Sequence, residues 1–558
     1  MPAIEEIIRK HALQNALEHG GKASTVSVLG KIFATNADLR SQAAEVKSLS
    51  GKIVDEVNMM SAEDKRAELE KLGGPEQPEA PREAKKKQEG LQLLPDAIEG
   101  KVVVRFAPNP DGAIHLGNAR PAVLSYEYAK MYGGKFMLRY DDTDPKVKTP
   151  EKKFYDWVLE DLAWLKVKPN LVVYSSKRMD IYHDFARQLI EKGGAYVCTC
   201  KPEVWKDTLS KGFPCSCREL HAETQLERWE SMLKHKYKEG DAVVRVKTDI
   251  THPNPAIRDW PALRIVDKPT HPLNKKNKVW PLFNFASGID DHLLGTTHIL
   301  RGQEHSTNEE KQRWMYKYFG WDYPKVILVG RFLFPEMVLS KSLIRKGIDG
   351  KEFDGWDDPR LGTIRALRRR GFQPDVLRQL IIDIGPRSSD ATIAFENLAA
   401  YNRKVVDPVA NRYFFVGHPA KVSLIHPPLR KATLHKHPKN KKAGDRILKV
   451  KDTVMIERED MEKLRGKEVR FIGLFNVMLQ SEASATSKEI KPIPKIQWLP
   501  PEEAVRAKVI MPGDELHGWA EKNVLKEKPD AIIQFERFGF CRIEKISAKS
   551  IRLVFSHK

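Results

Sequence analysis

The pattern of apolar positions divides the chain into a helical start, an α/β middle and a β-rich end. In residues 1–74, apolar side chains such as Ile4, Ile8 and Ala12 recur at helical spacing, which predicts a helical appendage. Residues 75–99 begin with a stretch rich in Pro, Glu and Lys that has little to bury, so a flexible linker is predicted there. The appendage carries no catalytic cluster of residues. It is either a structural extension or an arm that binds RNA or a protein partner.

The segment from residue 100 to 195 alternates short apolar runs with amphipathic stretches. The β-branched run Val102–Val104 predicts a buried strand, and Phe136–Tyr140 predicts a second one. Between them, residues 119–132 read as a helix that ends at a pair of glycines. This order of elements predicts an α/β domain.

From residue 408 onward the pattern changes again. Residues 469–475 and 531–537 alternate or run apolar, with turn residues between them, and helical patterns become scarce. The sequence therefore predicts antiparallel β-barrels in the last part of the chain.

Composition narrows the picture further. A chain of 558 residues suggests several domains, and its 41% of hydrophobic residues suffices for several cores. No apolar run reaches the ~18 residues of a membrane span, and Met1–Arg9 lacks a signal-peptide core, so no membrane association and a cytoplasmic location are expected. The formal net charge of +20 suits a polyanion such as RNA, although a merely basic surface explains it equally well.

The first predicted strand leads into a loop with candidate chemistry. Residues 108–112 break the strand, and residues 115–118 then open the helix. A strand, a loop and a helix N-terminus form a natural phosphate site, because unpaired backbone N–H groups point at the anion. His115 can donate a hydrogen bond to a phosphate, and Gly117 lets a flat base approach the backbone. By itself, however, this stretch is also compatible with a simple tight turn.

The neighbouring motifs decide between these interpretations. His115-Leu116-Gly117-Asn118 resembles the HIGH signature of class I aminoacyl-tRNA synthetases, with Asn118 in place of the final His. The preceding residues 105–112 are similar to the glutamyl/glutaminyl branch of that family. Residues 338–342, Val-Leu-Ser-Lys-Ser, resemble the mobile KMSKS loop and keep its second lysine as Lys341.

The resemblance implies a domain order. It implies a Rossmann-type class I catalytic domain in two halves (100–195 and 280–330), an acceptor-end-binding insertion (196–279), a signature-loop and helical connecting domain (331–407), and β-barrel anticodon-binding domains (408–558).

The resemblance also implies a set of site residues. His115 and Lys341 would be catalytic and act on the phosphates of ATP, which carry Mg²⁺. The implied ATP-binding residues are Pro108, His115, Gly117, Asn118, Ser340, Lys341 and Ser342. The implied substrate-binding residues are Arg105, Ala107, Asn109, Asp141, Phe283, Ser287 and Arg301. Asp141 matches the family residue that holds the α-ammonium group. Phe283 stands where many relatives carry Tyr, and Ser287 stands where some carry Asn.

Arg301 bears on the choice of amino acid. It matches a family arginine that contacts a substrate carboxylate, whereas the glutaminyl branch usually has a neutral residue there. Together with Arg105 it gives two cations for the two carboxylates of L-glutamate. The implied reaction is ATP-dependent activation of L-glutamate and its transfer to tRNA(Glu), with tRNA(Gln) left open as a second acceptor. In this branch, activation typically requires bound tRNA.

Three other functions remain as alternatives. The nearest is a glutaminyl enzyme. A short tRNA-modifying paralogue would lack residues 408–558. A non-catalytic RNA-binding descendant would have lost His115, Gly117 or Lys341, all of which are present.

Four of the five cysteines form two close pairs: Cys198 with Cys200, and Cys215 with Cys217. Four thiolates suit tetrahedral zinc, but Cys-x-Cys is tighter than the usual zinc spacing, so four reduced, unlinked thiols are the alternative. Some glutamyl enzymes of the branch carry a similar knuckle, and this resemblance favours structural Zn²⁺. Farther along, the arginine-rich stretch 365–370 is either a solvated helix face or a contact for tRNA phosphates.

Overall fold

A computed structural model of the protein describes residues 4–18, 21–35, 43–74 and 91–558. Most of the predicted linker, residues 75–90, lies outside the described residues. The chain divides into two compact units, Met1–Gln88 and Glu89–Lys558. None of the described helices has both the length and the apolar character needed to cross a lipid bilayer.

The first unit is helical, as the sequence predicted. Its helices are α1 (Ile4–Glu18), α2 (Thr25–Thr35), α3 (Ala43–Met59) and α4 (Ala62–Lys71). Apolar residues such as Ile8, Val28 and Val57 form its core. In α3 the apolar residues, among them Val46, Ile53 and Val57, also recur at helical spacing. Ser61 caps α4 by accepting a hydrogen bond from the backbone N–H of Asp64.

The second unit opens with a parallel sheet. Its first elements are β1 (Val103–Phe106), α5 (Leu116–Met131), β2 (Lys135–Tyr140), α6 (Lys152–Trp164), β3 (Leu171–Tyr174) and α7 (Met179–Glu191). Val103 pairs with Lys135, and Met137 pairs with Leu171, both in parallel ladders. Leu94, from the segment assigned to the linker, is buried in the core that these elements share. The described end of that segment is therefore packed rather than free.

An antiparallel layer follows. It consists of β4 (Ala195–Cys198), α8 (Pro202–Lys211), α9 (Ala222–Leu233), β5 (Val243–Val246), β6 (Pro261–Ile265) and β7 (Val279–Pro281). The four strands lie in the order β4-β5-β6-β7. Three buried tryptophans, Trp229, Trp260 and Trp280, belong to its core.

The chain then returns to the parallel sheet through α10 (Phe283–Leu293), β8 (His298–Gly302), α11 (Ser306–Phe319) and β9 (Lys325–Val329). β8 pairs with β9 in parallel. The backbone N–H of Thr297 donates to Val103 O at 2.9 Å, which sets β8 beside β1. The three-stranded sheet β1-β2-β3 and the two-stranded sheet β8-β9 therefore lie side by side. Taken across both sheets, the order β3-β2-β1-β8-β9 matches a nucleotide-binding α/β sheet, in which ligands bind at the carboxyl ends of the strands.

Short elements connect this sheet to the last domains. They are β10 (Phe332–Leu333), α12 (Lys341–Asp349), α13 (Ile364–Arg370), α14 (Pro374–Ile384), β11 (Ala391–Thr392) and α15 (Phe395–Val406).

The C-terminal part consists of strands and one α-helix, α16. They are β12 (Asn411–Tyr413), β13 (Phe415–Val416), β14 (Pro419–Ile425), β15 (Lys431–His435), β16 (Asp445–Lys449), β17 (Thr453–Glu457), then α16 (Arg458–Leu464), β18 (Glu468–Phe471), β19 (Asn476–Met478), β20 (Glu482–Ser487), β21 (Lys495–Ile496), β22 (Ala504–Met511), β23 (Asp514–Glu521), β24 (Ile532–Phe535), β25 (Gly539–Ile546) and β26 (Ser550–His557). One sheet has the order β12-β24-β25-β26-β22-β23-β13 and the other β17-β14-β20-β19-β18-β21.

The seven-stranded sheet is nearly closed, because its two edge strands, β12 and β13, are separated by Phe414 alone. The predicted barrel architecture is confirmed. The pairing is not purely antiparallel, however: β12 with β24 and β22 with β26 are parallel pairs. Parallel pairs such as these join strands that are far apart in sequence, so no local turn motif predicts them.

Candidate active site

His115 occupies the N-cap of α5, directly after the loop that follows β1. Its Nδ1 accepts a hydrogen bond from the backbone N–H of Asn118 at 3.3 Å. Burial lowers the pKa of His115 to about 3, and the charge of Lys341 adds to the effect. The imidazole is therefore neutral at physiological pH, with its proton on Nε2 and free to be donated. A Cβ on Gly117 would lie 3.0 Å from this ring, so glycine keeps the ring in place.

Lys341 meets the same loop from a distant part of the chain. Its Nζ donates to Asn109 O at 3.0 Å and to Asp111 Oδ1 at 2.9 Å. Ser340 caps α12, in which Lys341 is the first residue, and its Oγ lies 3.0 Å from Ser342 Oγ. The two signature segments thus converge on one loop.

A short connecting segment explains this convergence. The backbone N–H of Gly362 donates to Val338 O, and Gly362 O accepts from Leu116 N, each at 3.0 Å. The N–H of Ile364 donates to Ile114 O at 2.8 Å. Residues 361–364 therefore lie between the segment that carries His115 and the segment that carries Lys341, and they bind both through backbone hydrogen bonds.

Two buried polar atoms beside this loop have no partner. The side-chain oxygens of Asn109 and Asn118 are buried and accept no hydrogen bond within the described residues. A buried polar atom without a partner costs free energy unless a ligand or water satisfies it. Pro108, next to Asn109, is buried, and its carbonyl accepts a hydrogen bond from the backbone N–H of Asp141 at 3.1 Å.

A buried charge cluster lies at the carboxyl ends of β1 and β2. Arg105 donates to both carboxylate oxygens of Asp291, at 2.9 and 3.1 Å. Arg139 bridges Asp291 and Asp141, at 2.8 and 2.7 Å. Burial alone would raise the pKa of Asp291, but the two arginines outweigh it and hold that pKa below its ordinary value. Arg105 is therefore already engaged within the chain.

Arg301, at the end of β8, is different. It is only 7% exposed, yet it has no ion-pair partner among the described residues. Burial accordingly lowers its pKa. Its guanidinium approaches only the neutral Oε1 of Gln312, at 3.5 Å from both Nη atoms. Three guanidinium groups thus face two carboxylates, and the excess positive charge resides on Arg301.

Hydrogen bonds hold the side-chain amide of Gln312 in one orientation. Its Nε2 donates to Ser287 Oγ at 2.7 Å and to Asn284 O at 3.1 Å. Its Oε1 accepts from Tyr323 at 2.6 Å. These bonds fix which end of the amide faces Arg301. Gln312 therefore positions the guanidinium without neutralising it.

The remaining predicted substrate residues lie outside the charge cluster. Ser287 is buried and bonded to Gln312. Ala107 is partly buried just after β1. Phe283 is 43% exposed at the start of α10, with its ring centroid 6.5 Å from that of His305.

The four paired cysteines meet in the antiparallel layer. Their sulfur atoms all lie within 4.8 Å of one another. The Sγ atoms of Cys198 and Cys215 are 3.9 Å apart, and those of Cys200 and Cys217 are 3.7 Å apart. Tetrahedral zinc with Zn–S bonds of about 2.3 Å requires a sulfur separation of roughly 3.8 Å. The donor set and its spacing therefore fit Zn²⁺.

Known proteins resemble the whole chain. Residues 101–408 match the family described as tRNA synthetases class I (E and Q), catalytic domain. The chain belongs to this family. Residues 410–493 and 495–544 match the anticodon-binding domains of the same synthetases. The class I resemblance and the fold expected from the motifs are thereby confirmed.

Curated relatives cover this class I synthetase from end to end. It is 51% identical to the glutamate–tRNA ligase of Pyrococcus abyssi, and the alignment covers 100% of both chains. The glutamate–tRNA ligase of Pyrococcus furiosus is 49% identical, again over 100% of both chains. A crystal structure of glutamate-tRNA synthetase from Elizabethkingia anophelis aligns with 56% of this chain and 72% of that one, at 22% identity and a TM-score of 0.42.

Sequence reasoning missed three residues of the synthetase's charge cluster: Asp291, Gln312 and Tyr323. Asp291 directly follows Asp290 in the predicted second half of the catalytic domain, so this pair of acidic residues was a usable signal. Gln312 and Tyr323 carry no sequence signal, since one lies within a helix and the other in a following loop.

The arginine-rich helix α13 makes several contacts within the fold. Arg370 is buried and donates to Ser556 O at 2.6 Å. Arg365 and Arg369 pair with Glu160 and Glu544, each at 2.8 Å. Arg368 is the exposed one of the four. Three of the four arginines are therefore engaged within the fold, and a contact of this helix with tRNA phosphates stays a prediction.

Proposed function

We propose that the protein is a glutamate–tRNA ligase that activates L-glutamate with ATP and transfers it to tRNA. The observation that carries the amino-acid assignment is the buried Arg301, which has no ion-pair partner among the described residues. A buried cation is costly unless an anion joins it. The side-chain carboxylate of glutamate satisfies it, whereas the neutral amide of glutamine does not. The ligase names of the full-length relatives support the same assignment.

The reaction has two steps. In the first, the α-carboxylate of glutamate attacks the α-phosphorus of ATP, which gives glutamyl-adenylate and releases pyrophosphate. In the second, the terminal ribose hydroxyl of tRNA attacks the carbonyl carbon of the adenylate and releases AMP. Mg²⁺ arrives as part of the ATP substrate. No protein nucleophile is needed, so catalysis consists of positioning and charge stabilisation.

We assign the phosphates to the loop after β1, and the positions of His115 and Lys341 support this assignment. Neutral His115 donates from Nε2, and Lys341 supplies a cation once its contact with Asp111 is exchanged for the triphosphate. The unpartnered oxygens of Asn109 and Asn118 are acceptors for ligand hydroxyl or amino groups. Asp141 lies next to the arginine cluster, where its carboxylate can hold the α-ammonium group.

The first test compares the two possible amino acids. We expect charging of tRNA(Glu) with labelled glutamate, and no charging of either tRNA(Glu) or tRNA(Gln) with labelled glutamine. The measurement is acid-precipitable label with both purified tRNAs. Efficient charging with glutamine would overturn the glutamate assignment and favour the glutaminyl enzyme. Charging of tRNA(Gln) with glutamate would add it as a second acceptor.

We propose that the cysteine cluster holds a structural Zn²⁺. The hydrogen bond between Cys198 and Cys215 lowers the pKa of Cys215 and raises that of Cys198. Arg228 approaches Cys217 Sγ at 3.3 Å. Thiolates are the form that binds zinc, and the ion would fasten the strand that carries Cys198 to the following helical segment. When bound, such an ion contributes folding free energy to this layer.

Metal analysis tests this proposal. We expect about one zinc per chain after exhaustive dialysis, because sites made of four cysteine thiolates bind zinc tightly. Cys215→Ser is expected to lose that zinc and to lower the thermal midpoint, whereas Cys541→Ser, at a buried thiol outside the cluster, should keep the zinc. Dialysed wild-type protein without stoichiometric zinc would leave the four thiols as ordinary reduced cysteines.

The expected setting follows from the substrates. We infer a cytoplasmic location, since tRNA charging takes place where translation does. For the N-terminal helical unit, we retain a tRNA or protein contact as its proposed role. Removing residues 1–88 and measuring tRNA affinity distinguishes an RNA-binding arm from a structural extension.

A further inference from the structure

Two cations of helix α12 bind the loop that follows β1. Lys341 Nζ donates to Asp111 Oδ1 at 2.9 Å and to the backbone carbonyl of Asn109 at 3.0 Å. Arg345, one turn farther along α12, donates to the backbone carbonyl of Asp111 and to Glu151 Oε1, the latter at 2.6 Å. Asp111 therefore receives hydrogen bonds from both cations, one at its side chain and one at its backbone.

Apolar contacts seat α12 on the same loop. Ile344 is fully buried in a cluster that includes Ala113 and Trp356. A Cβ on Gly112 would lie 2.5 Å from the ring of Trp356 and 3.3 Å from Cδ of Lys341, so the backbone of the loop can approach both only at a glycine. The methylene stem of Lys341 thus lies against the loop, and its ammonium group is directed at the carboxylate of Asp111.

The ion pair of Lys341 and Asp111 is shielded from solvent. Each of the two side chains is only 19% exposed. Water and salt screen an exposed pair almost completely, whereas a partly buried, hydrogen-bonded pair keeps more of its interaction energy. Among the described residues, Asp111 supplies the only carboxylate that pairs with Lys341. It is therefore the group with which any other anion has to compete for this ammonium.

A triphosphate is such an anion. It repels the carboxylate of Asp111 at distances of a few ångströms, and its phosphates need the same ammonium group. The apparent affinity of a ligand falls with the fraction of molecules in which its binding group is free. Each molecule in which Lys341 is bound to Asp111 consequently lowers the apparent affinity for the triphosphate.

We propose that Asp111 is a positioning residue that holds Lys341 on the loop until the triphosphate displaces it, and that this contact sets the affinity for ATP. The proposal rests on the proposed function, which makes ATP the ligand of this loop. Asp111 acts through Lys341 and does not need to touch the substrate. The contact raises the ATP concentration at which the site fills, and it keeps the ammonium group at the place where the phosphates bind.

ATP binding by Asp111→Asn tests the proposal. This variant keeps the shape of the side chain and removes its charge. We expect its affinity for ATP with Mg²⁺, measured at equilibrium without glutamate or tRNA, to rise about 3- to 10-fold, between the effects of breaking an exposed and a buried ion pair. In the charging reaction, the KM for ATP should fall by the same factor, with kcat nearly unchanged because Lys341 is intact.

Hydrogen exchange measures the contact itself. Without ATP, the backbone amides of residues 338–346 should exchange faster in Asp111→Asn by a similar factor, since exchange there requires the segment to leave the loop. ATP with Mg²⁺ should restore the protection of the wild type, because the phosphates then hold Lys341. In a Lys341→Met background, Asp111→Asn should leave the exchange unchanged, because no ammonium group remains to be held.

Asp349→Asn is the matched control. It removes one negative charge from an exposed position of the same helix, and it should equal the wild type in both measurements. Three results would each overturn the proposal: unchanged exchange in Asp111→Asn, an equal change in the control, or exchange that still responds to Asp111 without Lys341. Weaker ATP binding by Asp111→Asn would also overturn it, since the carboxylate would then assist ATP, for instance through Mg²⁺.

The exchange experiment is independent of charging. It uses the full chain and requires neither glutamate nor tRNA. A failure to charge glutamate would therefore reject the proposed function and leave the measured effect of Asp111 on Lys341 intact.

Discussion

Lys341→Ala is expected to slow adenylate formation about 10²- to 10³-fold, while tRNA binding changes little. The ammonium lies at the loop after β1 and is tied to Asp111 in the absence of ligand. When the triphosphate replaces that carboxylate, the cation stabilises negative charge as pyrophosphate leaves. Removing a preorganised group of this kind typically costs about 3–4 kcal/mol of transition-state stabilisation. The measurement is ATP–pyrophosphate exchange with tRNA present, alongside a separate tRNA binding assay.

Lys346→Ala is the matched control for this variant. Lys346 lies in the same helix, α12, and is exposed, so it should retain wild-type exchange. If Lys341→Ala weakens tRNA binding as much as it slows exchange, the assigned role at the phosphates is wrong.

Arg301→Ala and Gln312→Glu are expected to raise the KM for glutamate by a similar factor, about 10- to 100-fold. The first variant removes the unpaired guanidinium, and the second gives it a carboxylate at the position where Gln312 Oε1 stands 3.5 Å away. Either way, glutamate loses charge-assisted hydrogen bonds worth roughly 1.5–3 kcal/mol. The KM for ATP should change little, because the loop that holds His115 and Lys341 is untouched.

Gln312→Met separates charge from packing in this experiment. It removes the same amide and its bonds to Ser287 and Tyr323 but adds no negative charge. We expect its KM for glutamate to rise only a few-fold. An equal rise in Gln312→Met and Gln312→Glu would mean that positioning alone matters at this residue. An unchanged KM in Arg301→Ala would remove Arg301 from the amino-acid site.

The sequence by itself determined the family, and it predicted the order of the domains and the two segments that form the candidate active site. These features depend on short continuous stretches, such as residues 105–118 and 338–342, in which the residues that carry the chemistry are neighbours in sequence. It also placed the four cysteines in two pairs, which the fold brings to distances suited to zinc. Local spacing is sufficient for such features, because a turn or a helix N-terminus needs only nearby residues.

Only the tertiary structure decided how the charges are shared. Asp291 engages Arg105 across 186 positions of sequence, so one of the two expected cations is already paired and Arg301 alone remains. In the same way, Arg365, Arg369 and Arg370 look free in the sequence but are used within the fold. Whether a charge is available depends on its neighbours in space. Those neighbours come from strand register and long-range packing, which no local pattern encodes.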